Sequence, residues 1–382
     1  MDRRSFLLGM GGLTLSQLLL GCSGGNQIKF NVQLLKGSIP AQVVNQFQQG
    51  LQQKVDLKFA PVEQIQNLFK RLQIWQKKAI DDEGGWTRFI PFRQSPTSTV
   101  ANLVTLGDYW LKAAIEQKLL QPLEEAEIKQ WSTLNPRWQQ LVRRNDQGIP
   151  DPQGKIWAAP YRWGSTVIVY DREKLQKFGW VPQDWSDLWR DELRSRISLV
   201  DQPREVIGLV LKKLGQSYNT ENLDTIPNLE KELQAFNQQV KLYSSTTYLE
   251  PLIIGDTWLA VGSSSDVIPL LARYPQLTAV VPQSGTAIWS DLWVRPAGVA
   301  KDVLSSQWID FCWQSNIAQQ ISLLTKSNSP ISTKIADYDI AESLKNLLKS
   351  NDEAFAKSEF LLPLSQSAAE KYQALFTKIK SN

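Results

Sequence analysis

The residues best suited to chemistry are Trp289, Asp291 and Trp293, which alternate along a segment rich in β-branched and aromatic side chains. Residues two apart share one face of a strand, so we expect these three side chains to point the same way. A carboxylate between indole rings suits an organic ammonium ion, because it offers a charge-assisted hydrogen bond beside cation–π attraction. The alternative is a half-buried strand whose tryptophans pack in the core and whose aspartate ends it.

Two further acids lie in the stretch from Asp201 to Glu205, which is predicted to open a helix reaching Leu214. Pro203 is well placed in a first helical turn. Asp201 is predicted to cap the helix, and Glu205 suits its positive end. A ligand-binding role for both acids remains open beside these structural roles.

A second helix start lies at Gly107 and Asp108, directly after a short apolar strand at residues 101–104. Asp108 is predicted to be the N-cap of a helix that runs to about Leu119. Such a junction faces the carboxyl end of the sheet, where ligands bind in open α/β folds. Tyr109 therefore either faces a ligand or packs in the core.

The composition excludes several kinds of site. The chain has no histidine, which removes Ser-His-Asp and Cys-His catalysis and zinc sites with imidazole ligands. Two cysteines, Cys22 and Cys312, cannot form a zinc cluster or a disulfide framework, and Cys312 is predicted to lie buried in the core. A net charge of +4 is too balanced for a nucleic-acid footprint. We expect no metal, no cofactor and no nucleic-acid partner.

Residues 1–25 are predicted to be targeting sequence rather than part of the fold. The run that begins with Arg3-Arg4 resembles a twin-arginine export signal. The segment from Leu19 to Cys22 resembles a bacterial lipobox, in which the cysteine is lipidated and becomes the new N-terminus. We expect a lipid on Cys22 to anchor the protein on the periplasmic or extracellular face of the cytoplasmic membrane. The alternative is an uncleaved anchor with an unmodified cysteine.

The elements that position these residues follow an α/β pattern. Strands predicted at residues 28–32 and 55–59 alternate with helices at 40–51 and 62–80, the pattern of a parallel sheet covered by helices. A length of 382 residues favours two domains. The extended segment at residues 156–170 has no helical period, so it can run from one domain into the other.

Three stretches in order resemble the periplasmic solute-binding proteins of ABC importers, most closely the spermidine/putrescine-binding family. They are the segment from Asp151 to Asp171, which continues to Trp189, the segment from Val200 to Gly215, and the segment from Pro282 to Pro296. The likeness covers most of residues 27–382.

The resemblance implies a two-lobe periplasmic binding protein fold, with a crossing-strand hinge and a ligand cleft between the lobes. The first lobe is predicted to hold residues 27–165 and 290–335, and the second to hold residues 166–289 and 336–382. The hinge is expected at the two extended crossings, because a few residues at strand ends can absorb a closing rotation.

The resemblance also implies the ligand-binding residues. Trp289 and Asp291 match the amine-binding tryptophan and aspartate of the family, Glu205 matches its second acid, and Tyr109 matches a cleft tyrosine.

The chain departs from the family pattern in several places. Another family acid falls on Gln202, and the adjacent acid is Asp201. A tryptophan–threonine pair of the family falls near Leu35-Lys36, and a further cleft tryptophan falls at residues 262–263. These departures indicate a shorter or less charged ligand, or a lower affinity for polyamines.

The predicted function is therefore a monomeric binding lipoprotein, not an enzyme, that delivers a polyamine to an ABC permease. One alternative keeps the fold and the transport role but takes an amino acid derivative, a thiamine-like amine, a sugar or an anion. A distant alternative is a hydrolase that uses paired carboxylates. If Asp291 binds the amine, Asp291→Asn should weaken binding and leave the melting temperature of the free protein nearly unchanged.

Overall fold

The computed structural model describes residues 28–83, 100–331, 347 and 352–381. The predicted targeting segment, including Cys22, lies outside the described residues. So does most of a helix predicted at residues 341–350.

The strands of the described residues are β1 Ile28–Leu35, β2 Val55–Val62, β3 Leu103–Gly107, β4 Leu120–Gln121, β5 Arg143–Arg144, β6 Lys155–Ile156, β7 Ala159–Asp171, β8 Ile197–Leu199, β9 Val240–Tyr243, β10 Leu259–Ser263, β11 Leu277–Val280, β12 Ala287–Pro296 and β13 Glu359–Phe360.

The α-helices are α1 Ala41–Gly50, α2 Ile65–Glu83, α3 Asp108–Glu116, α4 Pro136–Val142, α5 Arg172–Gln176, α6 Pro203–Lys213, α7 Leu229–Asn237, α8 Glu250–Ile253, α9 Ser264–Arg273, α10 Val303–Cys312, α11 Ser315–Thr325, α12 Asp352–Lys357 and α13 Gln366–Lys380. Short 3₁₀ helices lie at Glu125–Glu127, Trp131–Thr133, Trp185–Trp189, Asp191–Leu193 and Leu223–Thr225.

The strands form two groups that share β7. In the first group the order is β2-β1-β3-β12-β7, with β1 parallel to both β2 and β3, and β12 antiparallel to β3 and β7. In the second group β7 pairs antiparallel with β10 and β11, and β8 lies parallel between β10 and β9. The predicted α/β fold with strands that cross between two lobes is confirmed.

Strand β7 is the main crossing. All 13 of its residues are buried. Its pairing with β12 ends at Ser165, and its pairing with β10 begins at Thr166. The strand therefore passes from the first group to the second within one peptide bond, as a continuous extended chain.

Separate hydrophobic cores lie on the two sides of this crossing. One core draws its residues from 30–163 and 288–331, and another draws them from 168–261 and 372–379. Cys312 belongs to the first core and is 1% exposed, so its predicted burial is confirmed. A smaller third cluster packs around α9 and β11.

Two predicted helices differ from the structure. The sequence at residues 223–242 is polar and favours a helix, but α7 begins only at Leu229, and the stretch ends in β9. Pro227 explains the late start, because a proline disfavours helical backbone in the residue before it. The sequence also predicts one helix from Lys301 to Leu324, but the structure divides this range into α10 and α11. The indole of Trp313 at the break donates to the carbonyl of Pro160.

Candidate functional site

Three strands of the described chain are followed by helices near the crossing, two of them directly and one after a short loop. Strand β3 leads into α3, β10 leads into α9, and the loop after β8 leads into α6. Ligands of open α/β folds bind at such carboxyl ends of strands. The junctions carry Tyr109, Ser263 and Glu205 respectively.

One face of β7 forms the base of the candidate site. Arg162, Gly164 and Thr166 are two residues apart, so they share that face. Each of the three lies against at least one predicted site residue. At a rise of about 3.3 Å per residue, the face spans about 13 Å from Arg162 to Thr166.

Asp291 forms a buried ion pair with Arg162. The Arg162 Nε donates to Asp291 Oδ2 at 2.7 Å, and the two side chains are 9% and 5% exposed. Burial lowers the pKa of Arg162, but the negative charge of Asp291 and the neighbouring Tyr161 outweigh it and leave the pKa above its usual value. The Asp291 carboxylate thus has a cationic partner within the chain, which the sequence-based expectation did not include.

Trp289 lies over Gly164. A Cβ atom added to Gly164 would meet Cζ2 of the indole, so this close approach requires glycine. The indole Nε1 donates to Ser263 Oγ at 3.2 Å. Carbon Cζ of Arg162 lies 5.7 Å from the centroid of the ring, within cation–π range.

Glu205 contacts the opposite end of the same face. Its Oε2 accepts a hydrogen bond from Thr166 Oγ1 at 2.9 Å, and its side chain is partly exposed. Burial raises the pKa of Glu205, while the Thr166 hydrogen bond and the charge of Arg204 oppose that rise. Helix α6 begins at Pro203 as predicted, which places Glu205 in its first turn.

Asp201 does not cap α6, and that prediction is wrong. Gln202 occupies the N-cap position, and the Asp201 Oδ1 instead accepts from Nζ of Lys380 in α13 at 2.7 Å. This contact between distant parts of the sequence turns Asp201 toward α13. Gln202 is the member of the pair that faces the cleft described next.

A cleft of about 400 Å³ lies beside α6. Its lining consists of Tyr109, Gln202, Pro203, Arg204, Glu205, Leu361, Leu364, Ala369 and Tyr372. Tyr109 reaches it from α3, whereas the leucines and Tyr372 come from the C-terminal segment. Three predicted site residues thus line one cavity, and Trp289 and Asp291 lie outside its lining along β7.

Trp293 is a core residue. It is fully buried and stacks on Tyr161, with 4.3 Å between ring centroids. The pairing of β12 with β7 shifts between Asp291 and Leu292, so the surroundings of Trp293 differ from those of Asp291. The expectation that Trp293 would join the site is therefore wrong, and the packing alternative holds for it.

Asp108 is not the N-cap of α3, contrary to prediction. Gly107 takes that position, and Asp108 is the first helical residue. Its Oδ1 accepts from the backbone N–H of Ser290 at 3.0 Å, and burial raises its pKa to about 7. The charge of Arg144 lowers this pKa and that of Asp291 raises it. A second carboxyl group therefore lies near Asp291.

Sequence reasoning missed Arg162 and gave Asp108 only a capping role. The sequence does hold a signal for Arg162, since it is the one charged residue between Ala158 and Tyr170 in a long apolar strand. A charge in such a strand is almost never fully buried without a partner. The identity of that partner, 129 positions away, was not readable from local pattern.

The described residues offer no group of three or more His, Cys, Asp and Glu side chains that could hold a metal ion. In the same part of the chain, no helix combines the length and apolar character needed to cross a membrane.

Residues 98–358 match the model of a family described as bacterial extracellular solute-binding protein. The chain belongs to this family. Membership confirms that this solute-binding protein is not an enzyme, and it supports a location on the periplasmic or extracellular side.

Relatives of known function resemble this solute-binding protein at low identity. A putrescine/cadaverine-binding protein of Pseudomonas aeruginosa is 29% identical over 192 residues, which are 47% of this chain and 53% of that protein. A spermidine/putrescine-binding periplasmic protein of Escherichia coli is 24% identical over 269 residues, 67% of this chain and 74% of that protein. The chain thus matches about half the length of the first relative.

A solved structure confirms the fold. The spermidine/putrescine ABC transporter substrate-binding protein of Streptococcus pneumoniae superposes with a TM-score of 0.75 at 19% identity, covering 93% of this chain and 99% of that one. The two-lobed solute-binding fold follows from this match.

Proposed function

We propose that this protein is the solute-binding lipoprotein of an ABC importer, and that it takes an aliphatic amine of the polyamine class into the cleft for delivery to a permease. One observation favours an amine as the ligand. Glu205 presents a carboxylate to the cleft, and one of its two oxygens has no hydrogen-bond donor among the described residues. Within the described part of the chain, its Oε1 accepts no hydrogen bond, whereas Oε2 accepts from Thr166.

The physical reason is desolvation. An ammonium group that leaves water for a cleft needs a fixed anion with good hydrogen-bond geometry. Glu205 is such an anion, and its raised pKa reflects burial without a full counter-charge. Leu361, Leu364 and Tyr372 supply apolar walls for a hydrocarbon chain.

The relatives support the same class. Proteins that bind putrescine, cadaverine or spermidine share 24–29% of aligned residues with this chain. Trp289, Asp291, Glu205 and Tyr109 are the proposed ligand residues, with Gln202 beside them.

Glu205→Gln is expected to weaken putrescine binding at least tenfold, measured by isothermal titration calorimetry. The amide keeps an acceptor for Thr166 but removes the negative charge that the ammonium needs, a loss of about 2–5 kcal/mol. The matched control is Asp201→Asn, which removes a nearby acid that pairs with Lys380 outside the cleft. The putrescine affinity of Asp201→Asn should stay within twofold of the wild-type affinity. Equal putrescine binding by wild type and Glu205→Gln would contradict the role of Glu205 in holding the ammonium.

We also propose the lobe division given above, with hinges in β7 and β12. The change of pairing partner between Ser165 and Thr166 supports a boundary there. The separate cores at residues 30–163 and 168–261 support it as well.

Lipid anchoring is the remaining part of the proposal. Cys22→Ala is expected to move the protein from the membrane fraction to the soluble fraction, because the acylated thiol is lost. Fractionation with immunodetection measures the shift, and mass spectrometry of the wild-type N-terminus checks the modification. An unmodified Cys22 in a membrane-bound wild-type protein would contradict it.

A further inference from the structure

Arg162 makes the two contacts that the resemblance assigns to a ligand ammonium. Its Nε lies 2.7 Å from Asp291 Oδ2, and its guanidinium carbon lies 5.7 Å from the centroid of Trp289. A carboxylate and an indole face are the partners expected for an organic cation. Here the chain supplies that cation itself.

The guanidinium is a permanent charge at this place. Arginine stays protonated in proteins, and the pair with Asp291 is almost completely shielded from water, at 9% and 5% exposure. A second cation arriving beside Asp291 would have to share a carboxylate that is already neutralised, and it would meet a like charge at low dielectric.

The Glu205 end differs in this respect. Its bonded neighbour, Thr166, is neutral. Arg204 precedes Glu205 in the chain and also lines the cleft, but its guanidinium donates to the Tyr218 carbonyl and to Asn219 Oδ1.

The Asp291 carboxylate is therefore already paired with a cation of the chain, whereas the Glu205 carboxylate is open. Asp108, the second carboxyl group near Asp291, is buried, accepts from the Ser290 N–H and faces the charge of Arg144.

We propose that Arg162 is a specificity-determining residue: it closes the Asp291 end of the β7 face to a second ammonium, so that the site selects a ligand with one ammonium group, at Glu205, and an uncharged or anionic other end. This inference rests on the part of the proposed function that places an amine at Glu205, and it narrows the ligand from the polyamine class to amines with one ammonium group. Amino acid derivatives with a terminal amine belong to this ligand class.

Three probes with the same four-carbon chain test the charge of the far end: butylamine, putrescine and 4-aminobutyrate. In calorimetry with the wild-type protein, putrescine should bind no more than about twofold tighter than butylamine. The factor of about two is statistical, because either of the two identical ends of putrescine can bind at Glu205. 4-Aminobutyrate should bind at least as tightly as butylamine. A putrescine preference of tenfold or more over butylamine would overturn the inference.

Arg162→Gln provides the second test. Removing the charge frees Asp291, so putrescine should gain at least tenfold in affinity while butylamine changes less than threefold. Arg162→Lys, which keeps a cation, should retain the wild-type ranking. A glutamine variant with unchanged putrescine affinity would contradict the role of Arg162.

The outcomes separate this inference from the proposed function. If none of the three probes binds wild type or either variant, the amine function fails. If amines bind with a strong diamine preference in wild type, only the charge selection fails. Should Arg162→Gln not fold, the wild-type ranking and Arg162→Lys still decide.

Discussion

Asp291→Asn is expected to lower the free energy of unfolding of the ligand-free protein by about 3–5 kcal/mol, because it leaves Arg162 charged and buried without a counter-charge. The ion pair is 2.7 Å long, and both side chains are nearly inaccessible. Urea denaturation of wild type and variant measures the difference. This result would reverse the sequence-based expectation of an unchanged melting temperature, which assumed a carboxylate with no partner in the chain.

The matched control is an exposed pair. Lys36 Nζ also lies 2.7 Å from Glu63, but those side chains are 64% and 73% exposed. Glu63→Gln should therefore cost less than about 1 kcal/mol. The double variant Arg162→Met with Asp291→Leu should recover most of the lost stability, since it removes both charges together. If Asp291→Asn costs no more than Glu63→Gln, the pair does not stabilise the fold.

Asp108→Asn is expected to make the protein more stable than wild type at pH 8 and to leave it unchanged near pH 4. Burial raises the pKa of Asp108 from 3.8 to about 7. The folded state therefore holds this proton more tightly than the unfolded state, so the stabilisation is complete below about pH 4 and is lost as the pH rises through about 7. The largest effect of ionisation at pH 8 is about 4 kcal/mol.

Asparagine keeps an oxygen that can accept from the Ser290 N–H and cannot ionise, so the variant should lack this pH dependence. Urea unfolding at pH 4, 6 and 8 measures it, with Asp146→Asn as the control at an exposed position whose side chain pairs with Lys155. If the free energy of unfolding changes with pH in the same way for wild type and Asp108→Asn between pH 4 and 8, ionisation of Asp108 does not destabilise the fold.

Local sequence predicted the elements better than it predicted their side-chain partners. Pro203 in the first turn of α6 follows from backbone chemistry within a few residues, and this prediction is confirmed. Asp201 was misplaced because Lys380, which binds it, lies 179 positions away. A potential N-cap side chain can accept either from the nearby helix N–H groups or from a distant donor, and the local sequence shows only the nearby groups.

The candidate site shows the same limit. The resemblance selected Trp289, Asp291 and Glu205, and the structure brings all three against one face of β7. Their roles as ligand residues stay predictions. Arg162 escaped notice because its importance depends on antiparallel register, which pairs it directly with Asp291 across two strands.

Because β7 is continuous, the strand fixes the spacing between the positions that contact the site residues. Arg162 and Thr166 are joined by extended backbone without a loop between them, so no insertion can adjust their separation gradually. A contact that stays on the same face can move along the strand only by two residues, a step of about 6.6 Å. Homologous proteins that recognise longer or shorter ligands on this strand should therefore differ by whole steps, with side-chain length providing the fine adjustment.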